Sequence, residues 1–75
     1  MSTRNFTDDE KIFAANLGVR IKAWRTAMKL SMSAFGNKIG VDKVTISRWE
    51  SGKRVPSLYC YRRMRRLVRS KEVDA

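Results

Sequence analysis

The sequence has no histidine and a single cysteine, Cys60, among its 75 residues. A lone cysteine cannot form an intramolecular disulfide, and without histidine the chain cannot assemble a common zinc site or a Cys/His nucleophile. No other pairing of a nucleophile with a base stands out, so we expect no catalytic site, no metal site and no cofactor. The sequence therefore favours a binding protein over an enzyme.

Long hydrophobic runs are also missing, and the N-terminus has no apolar stretch of the length that export or membrane spanning requires. We therefore expect a cytoplasmic protein without a membrane partner. The 75 residues make one domain near the lower size limit for a self-sufficient core. Because such a domain is only marginally stable, self-association would help it.

Acidic residues are scarce, with 7 Asp and Glu against 17 Lys and Arg, which gives a net charge of +10 and a pI of about 10.7. The excess is concentrated in residues 43–71, where Glu50 is the single acid. An excess of this size on a small domain favours a polyanionic partner, with nucleic acid ahead of an anionic membrane. Charge alone does not choose between the two.

Strand signals are absent, since the sequence contains neither an alternating apolar pattern nor an Asn-Gly turn. Helix signals take their place. The segment "TDDE", residues 7–10, is a capping box that predicts the start of a first helix of about twenty residues. The apolar residues expected to form its buried stripe recur three or four positions apart and are Phe13, Leu17, Ile21, Trp24 and Met28.

Capping residues predict three further helices. Ser31 and Ser33 compete as the N-cap of the second, which ends at Gly40 because glycine can take the left-handed conformation that a sharp turn needs. Asp42 is the expected N-cap of a third helix that runs to about residue 51. Ser57 is the expected N-cap of a fourth helix over residues 58–69. The predicted fold is all-α, with four or five helices.

The third helix separates into two arcs when its residues are placed 100° apart. Ile46 and Trp49 anchor the inward arc, which also carries Thr45 and Glu50. The outward arc consists of Lys43, Val44, Ser47, Arg48 and Ser51. Such a face suits the base edges of a DNA major groove, although many Lys/Ser/Arg faces are simply solvated. A short helix, a glycine turn, this helix and a basic loop together make a helix-turn-helix.

The segments "LGVRIKAWR", residues 17–25, and "LSMSAFGNKIGVDKVTISRWESGKRVPS", residues 30–57, resemble the lambda-repressor-like (Cro/C1-type, XRE) helix-turn-helix DNA-binding family. The resemblance runs from about Leu17 to Val68. It implies a compact all-α domain with a base-reading third helix. We expect a flexible N-terminal arm at 1–6, the DNA-binding domain at 7–70 and a C-terminal tail at 71–75.

The resemblance also implies roles for individual residues. It makes Arg25 and Glu50 a structural ion pair, which the inward position of the carboxylate requires. The candidate base contacts are Lys43, Val44, Ser47 and Arg48. The candidate phosphate contacts are Lys38, Thr45, Ser51, Lys53, Arg54, Ser31 and Met32.

Three positions depart from the family pattern. Met32 stands where the family has a phosphate-binding glutamine, which leaves backbone amides at the helix start to hold a phosphate. Lys29 replaces the glycine that ends the first helix, so that turn is either strained, at a cost of about 1 kcal/mol, or differently shaped. Gly36 replaces a small alanine, which keeps the helices close but weakens the short helix.

The last helix is the least family-like part of the chain. Its predicted apolar half contains Leu58, Tyr61, Met64, Leu67 and Val68, and its polar half contains Arg62, Arg63, Arg66 and Arg69. Arg65 lies at the border. The arginines could form a solvated face, contact phosphates outside the core site or border a dimer surface. A dimer would use the apolar half, or the Arg65 edge paired with Glu72 or Asp74.

These features favour a sequence-specific regulator of transcription that binds double-stranded DNA. We expect a repressor that binds a two-fold symmetric operator as a homodimer, in the bacterial nucleoid or the cytoplasm of a phage-infected host. We expect no small-molecule effector. An antitoxin that neutralises a partner protein and autoregulates its operon is the alternative. A cationic membrane-active protein is a third hypothesis, disfavoured by the helix caps and buried-type tryptophans.

Overall fold

The computed structural model describes residues 7–74, which form four α-helices and no strand. The helices are α1 (Asp8–Ala27), α2 (Met32–Ile39), α3 (Lys43–Glu50) and α4 (Leu58–Asp74). The predicted all-α fold is confirmed, with four helices. The expected arm at 1–6 lies outside the described residues, as do Ala75 and the side chains of residues 71–74. None of the described helices combines the length and apolar character needed to cross a lipid bilayer.

Each helix begins at a polar cap that the sequence predicts. The capping oxygen accepts a hydrogen bond from the backbone amide three residues further on, at 2.9–3.2 Å. The four capping residues are Thr7, Ser31, Asp42 and Ser57. Ser31 therefore prevails over Ser33 at the start of α2. α4 continues to Asp74, past the expected end at Arg69.

One core lies between the four helices, and its largest fully buried side chains are Phe35, Ile21, Ile46 and Met64. Burying a side chain of this kind stabilises the fold by about 1.5–3 kcal/mol. Trp24, which was predicted to belong to the buried stripe of α1, packs against the edge of this core. It is half-buried, and its ring is tilted against that of Tyr61, at 6.4 Å between ring centroids.

The prediction that Phe13 belongs to the buried stripe of α1 is wrong, because 61% of it is exposed. Ala14 is buried instead, and Gly18 is buried one turn further on. A Cβ on Gly18 would lie 2.5 Å from the carbonyl oxygen of Trp49. The backbone of α1 therefore packs directly against the end of α3, and this close approach turns small residues inward and Phe13 outward.

The two turns around α2 have left-handed residues of different kinds. Gly40, the C-cap of α2, has φ +97°, as the turn prediction requires. Lys29 has φ +60°, a conformation that costs about 1 kcal/mol for a residue with a Cβ. The strained alternative predicted for the turn between α1 and α2 is therefore correct.

Candidate nucleic-acid interface

α3 presents one face to the core and the other to solvent. Ile46 and Trp49 are 0% and 4% exposed, and they hold the helix to the domain. The four candidate base-contact residues are all exposed and are Lys43, Val44, Ser47 and Arg48. The structure therefore brings these four together on a single free face, which combines two cationic donors, a hydroxyl and an apolar group.

The start of α3 is held by Asp42. Its Oδ1 accepts a hydrogen bond from the backbone N–H of Thr45 at 2.9 Å and another from the Thr45 hydroxyl at 2.7 Å. These bonds, first the amide and then the hydroxyl, with a smaller contribution from the charge of Arg48, lower the pKa of Asp42 below its ordinary value of 3.8. The Thr45 hydroxyl proton is thus engaged. A phosphate contact from this side chain would require breaking that bond.

The end of α3 is held by the ion pair expected between Arg25 and Glu50, which is present. Arg25 Nε donates to Glu50 Oε2 at 2.6 Å, and Nη2 donates to Oε1 at 3.1 Å. Arg25 Nη1 also donates to the carbonyl of Leu30 at 2.9 Å. The hydrogen bond to Glu50 raises the pKa of Arg25. One guanidinium therefore connects α1, the turn before α2 and the last residue of α3.

The candidate phosphate-binding residues lie around this face and are mostly exposed. Lys53 and Arg54 belong to a loop whose backbone amides both donate to the carbonyl of Arg48, at 3.0 and 3.3 Å, so the loop folds back onto the end of α3. Ser31, Lys38 and Ser51 are exposed as well. The Met32 side chain is half-buried against the core, which leaves its backbone amide at the start of α2 for a phosphate.

Arg63 has a role that the helical wheel did not reveal. It was assigned to the polar half of the last helix, but its Nε donates to the carbonyl of Ile39 at 2.9 Å and its Nη2 to that of Lys38 at 3.3 Å. The guanidinium also lies 5.6 Å from the ring centroid of Tyr59. Arg63 therefore satisfies carbonyls at the C-terminal end of α2, which need donors from elsewhere.

An apolar groove lies between α1 and the start of α4, with a volume of about 680 Å³. Phe13 and Leu58 line it and are 61% and 65% exposed, and Val55, also in its wall, is 40% exposed. Leu58, predicted to belong to the apolar half of the last helix, is thus exposed. Leu58 occupies the first turn of α4, where the apolar half of the helix extends past the edge of the core.

Comparison with known proteins identifies the segment that carries these features. A family model described as helix-turn-helix matches residues 21–59, just over half of the chain. The match contains α2, α3 and the basic loop and stops in the first turn of α4. The chain has no significant match among curated proteins.

Proposed function

The chain belongs to the Cro/C1-type helix-turn-helix family of DNA-binding transcription regulators, and from this premise we propose that it is a repressor binding a two-fold symmetric operator as a homodimer. The observation that carries the proposal is the exposed face of α3, fixed at its start by Asp42 and at its end by Glu50. Both ends are held by bonds to other residues, so the face is preorganised for the major groove.

The chemistry of this face matches base edges. Lys43 and Arg48 can donate to O6 and N7 of guanine, and Ser47 can donate or accept. Val44, which is 47% exposed, can pack against a thymine methyl group. Each well-formed contact of this kind is worth about 1–3 kcal/mol of discrimination against the wrong base.

The surrounding residues would place α3 in the groove by contacting the DNA backbone. Lys53 and Arg54 follow α3 in a loop anchored to Arg48, so their positions are tied to that of the base-reading face. The remaining proposed phosphate contacts are Ser31, Met32 through its amide, Lys38, Ser51 and Thr45, whose hydroxyl would have to leave Asp42 first. Such contacts set the register and give salt-dependent affinity without choosing a sequence.

The proposed homodimer is supported by the apolar groove. Phe13, Val55 and Leu58 leave an exposed apolar surface on a domain small enough to gain stability from association. To bind two half-sites one turn of DNA apart, a two-fold symmetric dimer needs its two recognition helices about 34 Å apart. Occupying an operator in this way blocks transcription without any chemical step.

Selection of bound sites from random duplex DNA tests the proposal. We expect a two-fold symmetric consensus whose half-sites are about one helical turn apart. Sedimentation of wild-type protein and of Leu58→Gln on this consensus tests the groove. We expect the dimer of the variant to dissociate at a higher protein concentration than the wild-type dimer does. Recovery of no consensus would contradict base reading. If the variant associates as wild type does, the groove is not the dimer interface. It would then be available to another protein, as in the antitoxin alternative.

A further inference from the structure

The five arginines of α4 between residues 62 and 69 fall into two groups. Arg63 donates to carbonyls of α2, and the guanidinium of Arg65 lies 5.4 Å from the ring centroid of Trp24. Arg62, Arg66 and Arg69 remain exposed, and we call them the arginine stripe. Their spacings of four and three residues place all three on one side of the helix.

Two residues of the stripe, Arg62 and Arg66, concentrate positive charge without a compensating acid nearby. The residues three and four positions from Arg62 and Arg66 include no acid, and the structure shows no ion pair for either among the described side chains. Like charges at these spacings repel one another and weaken a helix. A polyanion placed along the stripe would attract all of these arginines and offset the repulsion between them.

The stripe is continuous with the helix-turn-helix. Arg66 lines a shallow depression of about 270 Å³ together with Lys38 of α2, Arg63 and Ser70. Arg63 ties this part of α4 to the carbonyls of Lys38 and Ile39. A charged surface therefore extends from Lys38 onto α4, beyond the segment that the family model matches.

The apolar face of α4 indicates whether the polyanion is a membrane or a nucleic acid. A helix that lies on an anionic membrane inserts its apolar face between the lipids. In α4 this face is occupied by the core, because Met64 and Val68 are 0% and 7% exposed. A rigid polyanion that approaches from outside, such as the sugar-phosphate backbone of duplex DNA, needs no apolar face.

We propose that the arginine stripe contacts the sugar-phosphate backbone of the operator duplex outside the bases read by α3, which lengthens the footprint on DNA. This inference rests on the proposed function and adds a second phosphate-binding surface to it. Each phosphate neutralised changes the slope of log K against log salt concentration by about 0.9. Arg62 and Arg66 together should therefore contribute about 1.8 to the slope.

The test compares Arg62→Gln/Arg66→Gln with Lys11→Gln/Lys22→Gln, which removes the same charge from exposed positions of α1. Salt titrations use the selected operator with about one helical turn of flanking DNA on each side, and the same operator trimmed of its flanks. On the flanked duplex we expect the stripe variant to bind more weakly, with an affinity deficit that shrinks about 3.5-fold for each doubling of salt. On the trimmed duplex its slope should equal that of wild type.

The α1 variant should keep the wild-type slope, and Arg62→Lys/Arg66→Lys should restore it because the charge returns. Circular dichroism checks that each variant is folded. Equal slopes for the stripe variant and wild type on flanked DNA would overturn the inference, as would an equal loss in the α1 variant. Loss of binding to phosphatidylglycerol vesicles with an unchanged DNA slope would overturn it in favour of a membrane.

Failure of the proposed function gives a different result. If no operator is selected, base reading by α3 is wrong, and the same variants are compared on long random-sequence duplexes. A flatter slope for the stripe variant there would support backbone contact by α4 alone. An unchanged slope there would also overturn the proposed contact between the arginine stripe and the DNA backbone.

Discussion

α3 and α4 both carry cationic side chains, but the two helices use them in different ways. α3 turns its acid, Glu50, inward to Arg25 and leaves Lys43 and Arg48 on the exposed face. α4 instead commits Arg63 to the carbonyls of α2 and leaves Arg62 exposed beside it. The comparison shows that one of two neighbouring arginines can hold the scaffold together while the other is left exposed.

Removing the partner that fixes α3 should have the largest effect. Glu50→Ala leaves the Arg25 guanidinium, with a side chain 12% exposed, without its carboxylate. We expect a loss of about 3 kcal/mol in the free energy of unfolding, because breaking a buried pair strands a charge. Chemical denaturation followed by circular dichroism measures it.

The control is Asp9→Ala, which removes an exposed acid from the first turn of α1 and should cost no more than about 1 kcal/mol. Equal losses for the two variants would mean that the ion pair does not hold α3.

The two kinds of arginine on α4 can be distinguished by the effect of their substitution on stability. Arg63→Gln removes charged donors from the carbonyls of Ile39 and Lys38, and we expect it to lower stability by about 1–2 kcal/mol. Arg62→Gln, one residue earlier and exposed, should change stability by less than about 0.5 kcal/mol. Thermal unfolding of the pair measures both. Indistinguishable midpoints would remove the distinction between scaffold and surface arginines.

The turn before α2 allows stability to be changed without touching either helix face. Lys29 has φ +60°, where glycine is unstrained, so Lys29→Gly should raise the free energy of unfolding by about 0.5–1 kcal/mol. The preferred DNA sequence should stay the same. Thermal unfolding checks the first expectation and repeated site selection the second. A lower melting temperature would show that the lysine side chain contributes more than its backbone costs.

Acid should weaken the start of α3 more than that of α4, since the cap of α3 is Asp42 whereas that of α4 is Ser57, which does not titrate. The folded-state pKa of Asp42 is lowered, so its contribution is complete above 3.8 and is lost as pH falls through the lower folded value. The stability of wild type relative to Asp42→Asn should therefore decrease over this range. A difference that stays constant with pH would contradict the role of the carboxylate.

The sequence predicted most of the fold because helix caps and the 3.6-residue period are local signals. Thr7, Asp42 and Ser57 mark helix starts, and Ile46 and Trp49 mark the inward face of α3. Phe13 was misplaced because the stripe was read from large apolar residues. The position of α1 is set by Gly18, whose lack of a side chain lets the backbones of α1 and α3 approach. A glycine inside a helix was the available signal for this contact.

In the candidate site, too, local features were predicted from the sequence and contacts between distant residues were not. Exposure of Lys43, Val44, Ser47 and Arg48 followed from the period of one short helix. The role of Arg63 could not, because its acceptors are carbonyls 24 and 25 residues away in the sequence. Nor could the engagement of the Thr45 hydroxyl by Asp42 be read from a wheel, which gives direction but not hydrogen bonds.

The most direct test of base reading by α3 compares Arg48→Ala with Lys53→Ala on the selected operator and on operators with single base-pair changes. We predict that Arg48→Ala loses about 1–3 kcal/mol on the operator and loses preference at one or two positions. Lys53→Ala should weaken binding to every sequence alike and reduce the salt slope by about one. If Arg48→Ala also weakens all sequences alike and leaves every base preference intact, the assignment of α3 to base reading through Arg48 is contradicted.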